Sequence, residues 1–343
     1  MADQKPTTLN LEQIVQDILS SIEREREREI ISRRFGLFDR KETLEQIGEL
    51  LGITRERVRQ LEKSVITRLK AGAKQLPHIN EVEATIIDQL KKDGETARIT
   101  NLSAKLTAEN SRTDQSRLGF ITELAPNLST ISEDDTYYQA VGVEKTHSTA
   151  AIRKETEKLI ATIKEAAKPI KTSELAKLAA MPSETYAQAL ASISKKLATL
   201  NGRWGLVKWP TVNPKNIRDK IFVILSENGK HMHFNEIAKA IKDSDFKRKD
   251  VTTQAIHNEL IKDKRFVLIG RGIYALKDWG YKKGTVADII SEVLKQAKQP
   301  LHRDEIVKRV LKSRFVKETT ILLNLQSKPQ FKRVAKATYE LAE

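Results

Sequence analysis

The second half of this chain repeats. Ile217, Ile221, Ile224, Leu225, Met232, His233, Ile237 and Ile241 recur as Val286, Ile290, Val293, Leu294, Leu301, His302, Ile306 and Val310, each 69 residues later. The text between agrees as well, H-F-N-E-I-A-K-A-I against H-R-D-E-I-V-K-R-V. Ile163, Ile170 and Leu175 stand 62 residues before Leu225, Met232 and Ile237, and a fainter copy begins near Val82 with Leu90, Leu102 and Leu106. A chain that repeats on this scale folds as tandem small domains, because each unit must close its own apolar face.

Each copy has one grammar. An amphipathic helix is followed by a short extended link and a second helix, over 235–242 in the clearest copy. A third helix, over 253–263, leads into two β-rich runs, R-F-V-L-I-G-R-G-I-Y-A-L, split by Gly270-Arg271-Gly272. The glycines supply the positive φ of a tight hairpin turn. Three helices and a terminal hairpin make a winged helix. The predicted fold is mainly α with small β-hairpin wings. It places a helix-turn-helix domain over 10–76 and winged helices over 78–143, 150–212, 214–281 and 283–343, with joints at 77, 143–149, 210–214 and 282–284.

The helix-turn-helix rests on two adjacent stretches. In T-L-E-Q-I-G-E-L-L-G, Thr43 caps a helix with Gln46 as its capping-box partner, Leu44, Ile47, Leu50 and Leu51 form an apolar stripe, and Gly52 closes the helix left-handed. In I-T-R-E-R-V-R-Q-L-E, Thr54 caps the next helix and Val58, Leu61 and Val65 give it a buried side. Arg55, Glu56, Arg59 and Gln60 then project from the opposite side. Arg can pair with guanine, Gln with adenine, and Glu can accept from cytosine. Composition alone leaves this face divided between a DNA reader and a solvated, ion-paired helix; the preceding helix and Gly turn favour the reader.

Residues 22–70, including R-E-I-I-S-R-R-F-G-L, T-L-E-Q-I-G-E-L-L-G and I-T-R-E-R-V-R-Q-L-E-K, resemble region 4 of primary bacterial RNA polymerase sigma factors. The resemblance implies that Arg55, Glu56, Arg57, Arg59, Gln60 and Lys63 face a promoter element in the major groove. It implies that Arg34 and Thr43 touch phosphates, and that RNA polymerase core is a partner. The alternating run I-E-R-E-R-E-R-E-I fits the family's first helix, either as a solvated face or as a contact surface. Nothing in the chain resembles the sigma domain that melts DNA, so a stand-alone initiation factor is not expected.

The copy at 214–281 resembles the HARE-type winged helix through P-K-N-I-R-D-K-I, H-F-N-E-I-A-K-A-I and V-T-T-Q-A-I-H-N-E-L. That resemblance implies contact with DNA or the transcription machinery and no catalysis. Thr253, Gln254 and His257 on its third helix, Arg271 at the wing and Lys247-Arg248-Lys249 before the helix are candidate DNA contacts. The competing assignment makes Thr252 or Thr253 a cap, leaves Asn258 solvated, and makes Arg271 part of a turn.

Bulk properties bound the rest. The net charge of +15 is uneven: +2 over 1–76, −5 over 77–145, +6 over 146–213, +5 over 214–281 and +7 over 282–343. Attraction to phosphate should concentrate in the C-terminal part, and 77–145 suits a spacer or a basic protein surface. Cys is absent, which removes disulfides and thiolate metal sites and fits a cytoplasmic protein. No apolar run reaches about 18 residues, so no membrane span is expected. Gly270-Arg271-Gly272-Ile273-Tyr274-Ala275 imitates a nucleotide fingerprint but is followed by β-formers, not a helix. His231-X-His233 has no third ligand in view, and His233 shares its repeat position with His302, which points to a structural role at a helix start. No nucleophile, phosphate loop or cofactor motif is present, so an enzyme is not expected. A sequence-specific DNA-binding transcription protein is the leading expectation. The alternatives are a delta-like polymerase accessory subunit acting mainly by protein contacts, or the DNA-reading part of a restriction-modification system.

Overall fold

Four helices open the chain. In this computed structural model, which describes residues 8–145, 147–246 and 250–342, they are α1 (Leu11–Ser20), α2 (Glu25–Phe35), α3 (Leu44–Leu51) and α4 (Arg55–Ala71). Thr43 Oγ1 accepts from the Gln46 amide while Gln46 returns a bond to the Thr43 amide, so the expected capping box forms. Gly52 closes α3 at φ 62°, and Thr54 Oγ1 caps α4 through the Arg57 amide at 3.2 Å. Ile30, Ile47 and Val58 are fully buried where α2, α3 and α4 meet, with Leu61 on the rim. Gly48 permits the tight approach, since a Cβ there would lie 2.6 Å from the Ile53 carbonyl oxygen.

Four modules of identical element order follow. The first is α5 (Ile79–Asp93), β1 (Thr96–Arg98), α6 (Ile99–Leu106), α7 (Arg112–Leu124), β2 (Leu128–Ile131) and β3 (Ala140–Val143). The second is α8 (Thr149–Ala166), β4 (Ile170–Lys171), α9 (Thr172–Leu178), α10 (Glu184–Ile193), β5 (Leu197–Leu200) and β6 (Arg203–Leu206). The third is α11 (Ile217–Asn228), β7 (Met232–His233), α12 (Phe234–Asp243), α13 (Thr253–Lys262), β8 (Phe266–Gly270) and β9 (Ile273–Leu276). The fourth is α14 (Val286–Ala297), β10 (Leu301–His302), α15 (Arg303–Ser313), α16 (Glu318–Ser327), β11 (Phe331–Ala335) and β12 (Thr338–Leu341).

Each module holds a three-stranded antiparallel sheet in which the last strand lies between the other two. The expected extended link is thus a strand, as when Met232 pairs with Tyr274 and Leu301 with Tyr339. Two-residue strands are too short to show an alternating pattern, so the sequence displays only the hairpin. The repeated histidines start helices: His233 Nδ1 accepts from the Asn235 amide and His302 Nδ1 from the Asp304 amide, both at 3.3 Å. Only Gly272 takes the positive φ, 71°, expected of the Gly-X-Gly turn. Gly270 is required for another reason, because a Cβ there would lie 2.8 Å from the Phe315 carbonyl.

The chain divides into a unit ending at Lys208 and a unit beginning at Trp209. In the first, one hydrophobic core runs from Leu11, Ile18, Ile31 and Leu69 to Ile86, Phe120 and Val141 without a break at Pro77. The acidic segment 77–145 is therefore not a spacer. The exposed turn acid Asp134 accepts from the Thr136 and Tyr137 amides, both at 2.7 Å. The Tyr137 amide is the main reason its carboxyl is held below the usual carboxylate range.

α7 lies against α1, α2 and α4. The ring of Phe120 meets Phe35 edge-on at 5.0 Å, and buried Arg117 donates to the Leu37 carbonyl at 2.7 Å. α10 lies in turn against α5 and β1. Arg98 donates to the Ser192 carbonyl, and the Tyr138 amide to the Ile193 carbonyl at 2.9 Å. A buried set at this junction joins His147 Nε2 to the Tyr186 hydroxyl at 2.7 Å, and that hydroxyl donates to Glu155.

The second unit has its own cores, around Ile221, Ile237, Ile256 and Phe266 and around Ile290, Ile306, Ile321 and Phe331. Its two modules meet at a wing. β8 is a sheet edge, and it accepts the Phe315 amide at Ile269 (3.1 Å) and the Arg314 guanidinium at Leu268 (2.9 Å). Among the described residues no helix is long and apolar enough to cross a membrane.

Candidate nucleic-acid interface

α4 presents a polar face because its apolar residues recur on one side only. Val58 and Val65 are buried, while Arg55, Glu56, Arg57, Arg59, Gln60 and Lys63 are all exposed. Exposure with one end capped by Thr54 leaves the first two turns free to enter a groove.

The structure sorts these side chains into two sets. Arg34, Thr43, Arg55, Glu56 and Arg59 line one concavity of about 380 Å³ between α3 and α4, together with Leu44 and Glu45. Arg57 and Gln60 instead line a second hollow of about 600 Å³ shared with Arg24 and Arg68. The sequence placed Arg55, Glu56, Arg59 and Gln60 on one side of the helix, but Gln60 lines the second hollow while the other three line the first.

Glu56 organises the first set. It accepts from Arg59 at two points, Nε at 2.9 Å and Nη2 at 2.7 Å, and from Gln60 Nε2 at 3.4 Å. The bonds from Arg59 hold the Glu56 carboxyl below the usual carboxylate range, and the same bonds raise the Arg59 guanidinium. A bidentate pair of this kind fixes the plane of the guanidinium before any partner arrives. Arg55 makes no side-chain hydrogen bond or ion pair among the described residues. Arg34 is half-buried and braced, with Nε 3.3 Å from Glu62 and Nη1 3.4 Å from the Glu42 carbonyl. It holds α2 against α4 and offers only its remaining N–H groups outward. Thr43 spends its hydroxyl on the α3 cap, at the positive end of that helix.

Sequence reasoning missed the supporting residues in the alternating run. Arg26 donates to the Leu51 carbonyl and so ties α2 to the end of α3. Glu27 is buried, 5% exposed, and accepts from Arg68 of α4, 41 residues away. The run is a bracing surface as well as a solvated one. Alternating charges carry no mark of which members turn inward.

In the third module the candidates scatter. Thr252 caps α13, leaving Thr253 exposed at its first position. Gln254 donates to Asn258 at 3.1 Å along the helix. His257, another candidate contact, is half-buried and turned onto Phe234, 5.0 Å between ring centres, and Tyr274 at 6.1 Å. Its spacing of four from Thr253 allowed either side. Arg271 is exposed at the wing turn. Lys247, Arg248 and Lys249 lie outside the described residues.

Residues 24–71 match the family sigma-70, region 4. The same stretch is similar to the RNA polymerase sigma factor sigB of Arabidopsis thaliana, 52% identical over 46 residues, which are 13% of this chain and 8% of that protein. It is similar to SigA of a Bacillus species, 41% identical over 61 residues, 18% of this chain and 16% of that protein. RpoD of Helicobacter pylori is 53% identical over 49 residues, 14% of this chain and 7% of that protein. The chain thus spans less than a fifth of the length of these curated relatives. The likeness covers α2, α3 and α4 and supports a DNA-binding, transcription-related role for that segment.

Proposed function

We propose that this chain is a DNA-binding transcription protein in which α4 reads promoter-like duplex DNA from the major groove. The observation that carries the reading is the concavity in which Arg55, Glu56 and Arg59 stand exposed beside Arg34 and the capped start of α3. It sits on a segment that matches sigma-70 region 4. In such a site the helix supplies base contacts, and the flanking groups set register on the backbone. Because the curated relatives are RNA polymerase sigma factors, polymerase core is proposed as the partner at those sites. The role is one of binding, with no catalytic step.

Arg59→Ala tests the assignment. Loss of one bidentate contact should weaken binding to the preferred duplex by about 1–3 kcal/mol and relax selection at one base pair. Selection from a randomised duplex pool, run on wild type and variant, measures both. A motif unchanged by the substitution would refute α4 as the reader. Genome-wide footprinting with and without polymerase then tests the partner, since sites independent of polymerase would remove it.

A further inference from the structure

In a winged helix the third helix and the wing are the elements that lie free to meet a duplex, so their surroundings decide which modules can hold one. In the first module α7 is spent: Arg117, Leu118, Gly119, Phe120, Ile121 and Thr122 are buried in succession, between its own module and α1, α2 and α4 of the helix-turn-helix. In the second, α10 is spent against the first module, with Tyr186, Ala187, Ala189, Leu190, Ala191 and Ile193 buried. In the third, α13 is open, but the outer wing strand β8 is capped by Arg314 and Phe315. In the fourth, both elements are open. α16 buries only Ile321 and Leu325, and β11 exposes every residue after Phe331.

The open pair is also mostly basic. It carries Lys328, Lys332, Arg333 and Lys336 against two acids, Glu318 at the start of α16 and Glu340 of β12, which lies across from Lys332. Lys332, Arg333 and Lys336 stand together on the wing, all exposed. α16 carries little that could read bases. It has no Arg, Asn324 donates back to the Thr320 carbonyl at 2.7 Å, and its most prominent outward side chain is Leu323, 63% exposed.

We propose that the α16 and β11–β12 face of the fourth module is a second duplex-DNA contact, one that grips the phosphate backbone without reading sequence. It rests on the proposed DNA-binding role, and it confines the grip to one of four modules of the same architecture. The positive wing complements a polyanion, and each phosphate neutralised releases counterions.

The test uses the full chain and a random-sequence duplex, titrated with salt. Lys332→Gln, Arg333→Gln and Lys336→Gln together should lower the slope of log affinity against log salt by about 2–3, near 0.9 per phosphate lost. Preference among duplexes that α4 distinguishes should be retained. A matched set on α8, Lys154→Gln, Lys158→Gln and Lys164→Gln, should leave the slope in place. An unchanged slope in the wing variant, or an equal drop in the α8 set, overturns the proposal. Far-ultraviolet circular dichroism of both variants separates lost contacts from lost fold. If Arg59→Ala abolishes sequence preference while the wing variant changes nothing, the reader stands and the grip alone fails. If wild type does not bind random duplex in a salt-dependent way but is retained by polymerase core through this wing, the face is a protein-docking site and the proposal is wrong.

Discussion

Arg59 leaves α4 already paired, and that pairing shapes what it can do. Its guanidinium is held flat by Glu56, so it presents an oriented fork and not a mobile side chain. Both residues are exposed, so the pair adds little to stability, and its effect is on geometry. Tyr186 is the opposite case, a buried group whose environment does affect stability. Burial, then the bond to Glu155, pushes its hydroxyl well above the ordinary tyrosine value. Burial likewise raises Tyr137 in the same unit. A raised folded value means the neutral hydroxyl is favoured by folding. That stabilisation is whole below about pH 10, where an unfolded tyrosine titrates, and is lost as pH rises above it. Tyr186→Phe should cost about 1 kcal/mol at neutral pH through its lost hydrogen bonds, and should flatten part of the alkaline decline. Denaturant unfolding at pH 8 and pH 11 checks both, and an undiminished decline would place the titrating group elsewhere.

Among elements, the third helices of the modules divide into two kinds. α7 reads R-T-D-Q-S-R-L-G-F-I-T-E-L, with a continuous apolar run, and α10 reads E-T-Y-A-Q-A-L-A-S-I, apolar or small on nearly every side. α13 and α16 bury two residues each. The capping box at Thr43, the left-handed Gly52 and the caps at His233 and His302 were legible in the sequence, because they depend on residues within a few positions. The brace from Glu27 to Arg68 was not, because it joins groups 41 positions apart. Phe120 is the residue by which α7 joins the helix-turn-helix to the first module. Phe120→Ala should destabilise the first unit by about 3–5 kcal/mol, the usual loss for a fully buried ring. A loss below 1 kcal/mol in denaturant melts would mean that the two domains do not share a core.

At the scale of the whole molecule, the break falls between Lys208 and Trp209, not after the helix-turn-helix. Units with separate cores unfold separately. Unfolding should therefore proceed in more than one step, and Phe120→Ala should shift only the step belonging to the first unit. A single transition followed by both circular dichroism and fluorescence would contradict this. Sequence alone determined the repeat, the mainly helical class and the helix-turn-helix with its polar α4, because periodicity and caps are local properties of the chain. It also placed most of the excess positive charge late in the chain. Only tertiary structure decided that the acidic 77–145 segment shares a core with the helix-turn-helix. It likewise decided that α4's polar face is split between two hollows, and that α7 and α10 are buried while α16 stays open. Which surfaces are covered depends on where distant apolar groups meet, and four modules with one grammar can pack in more than one way.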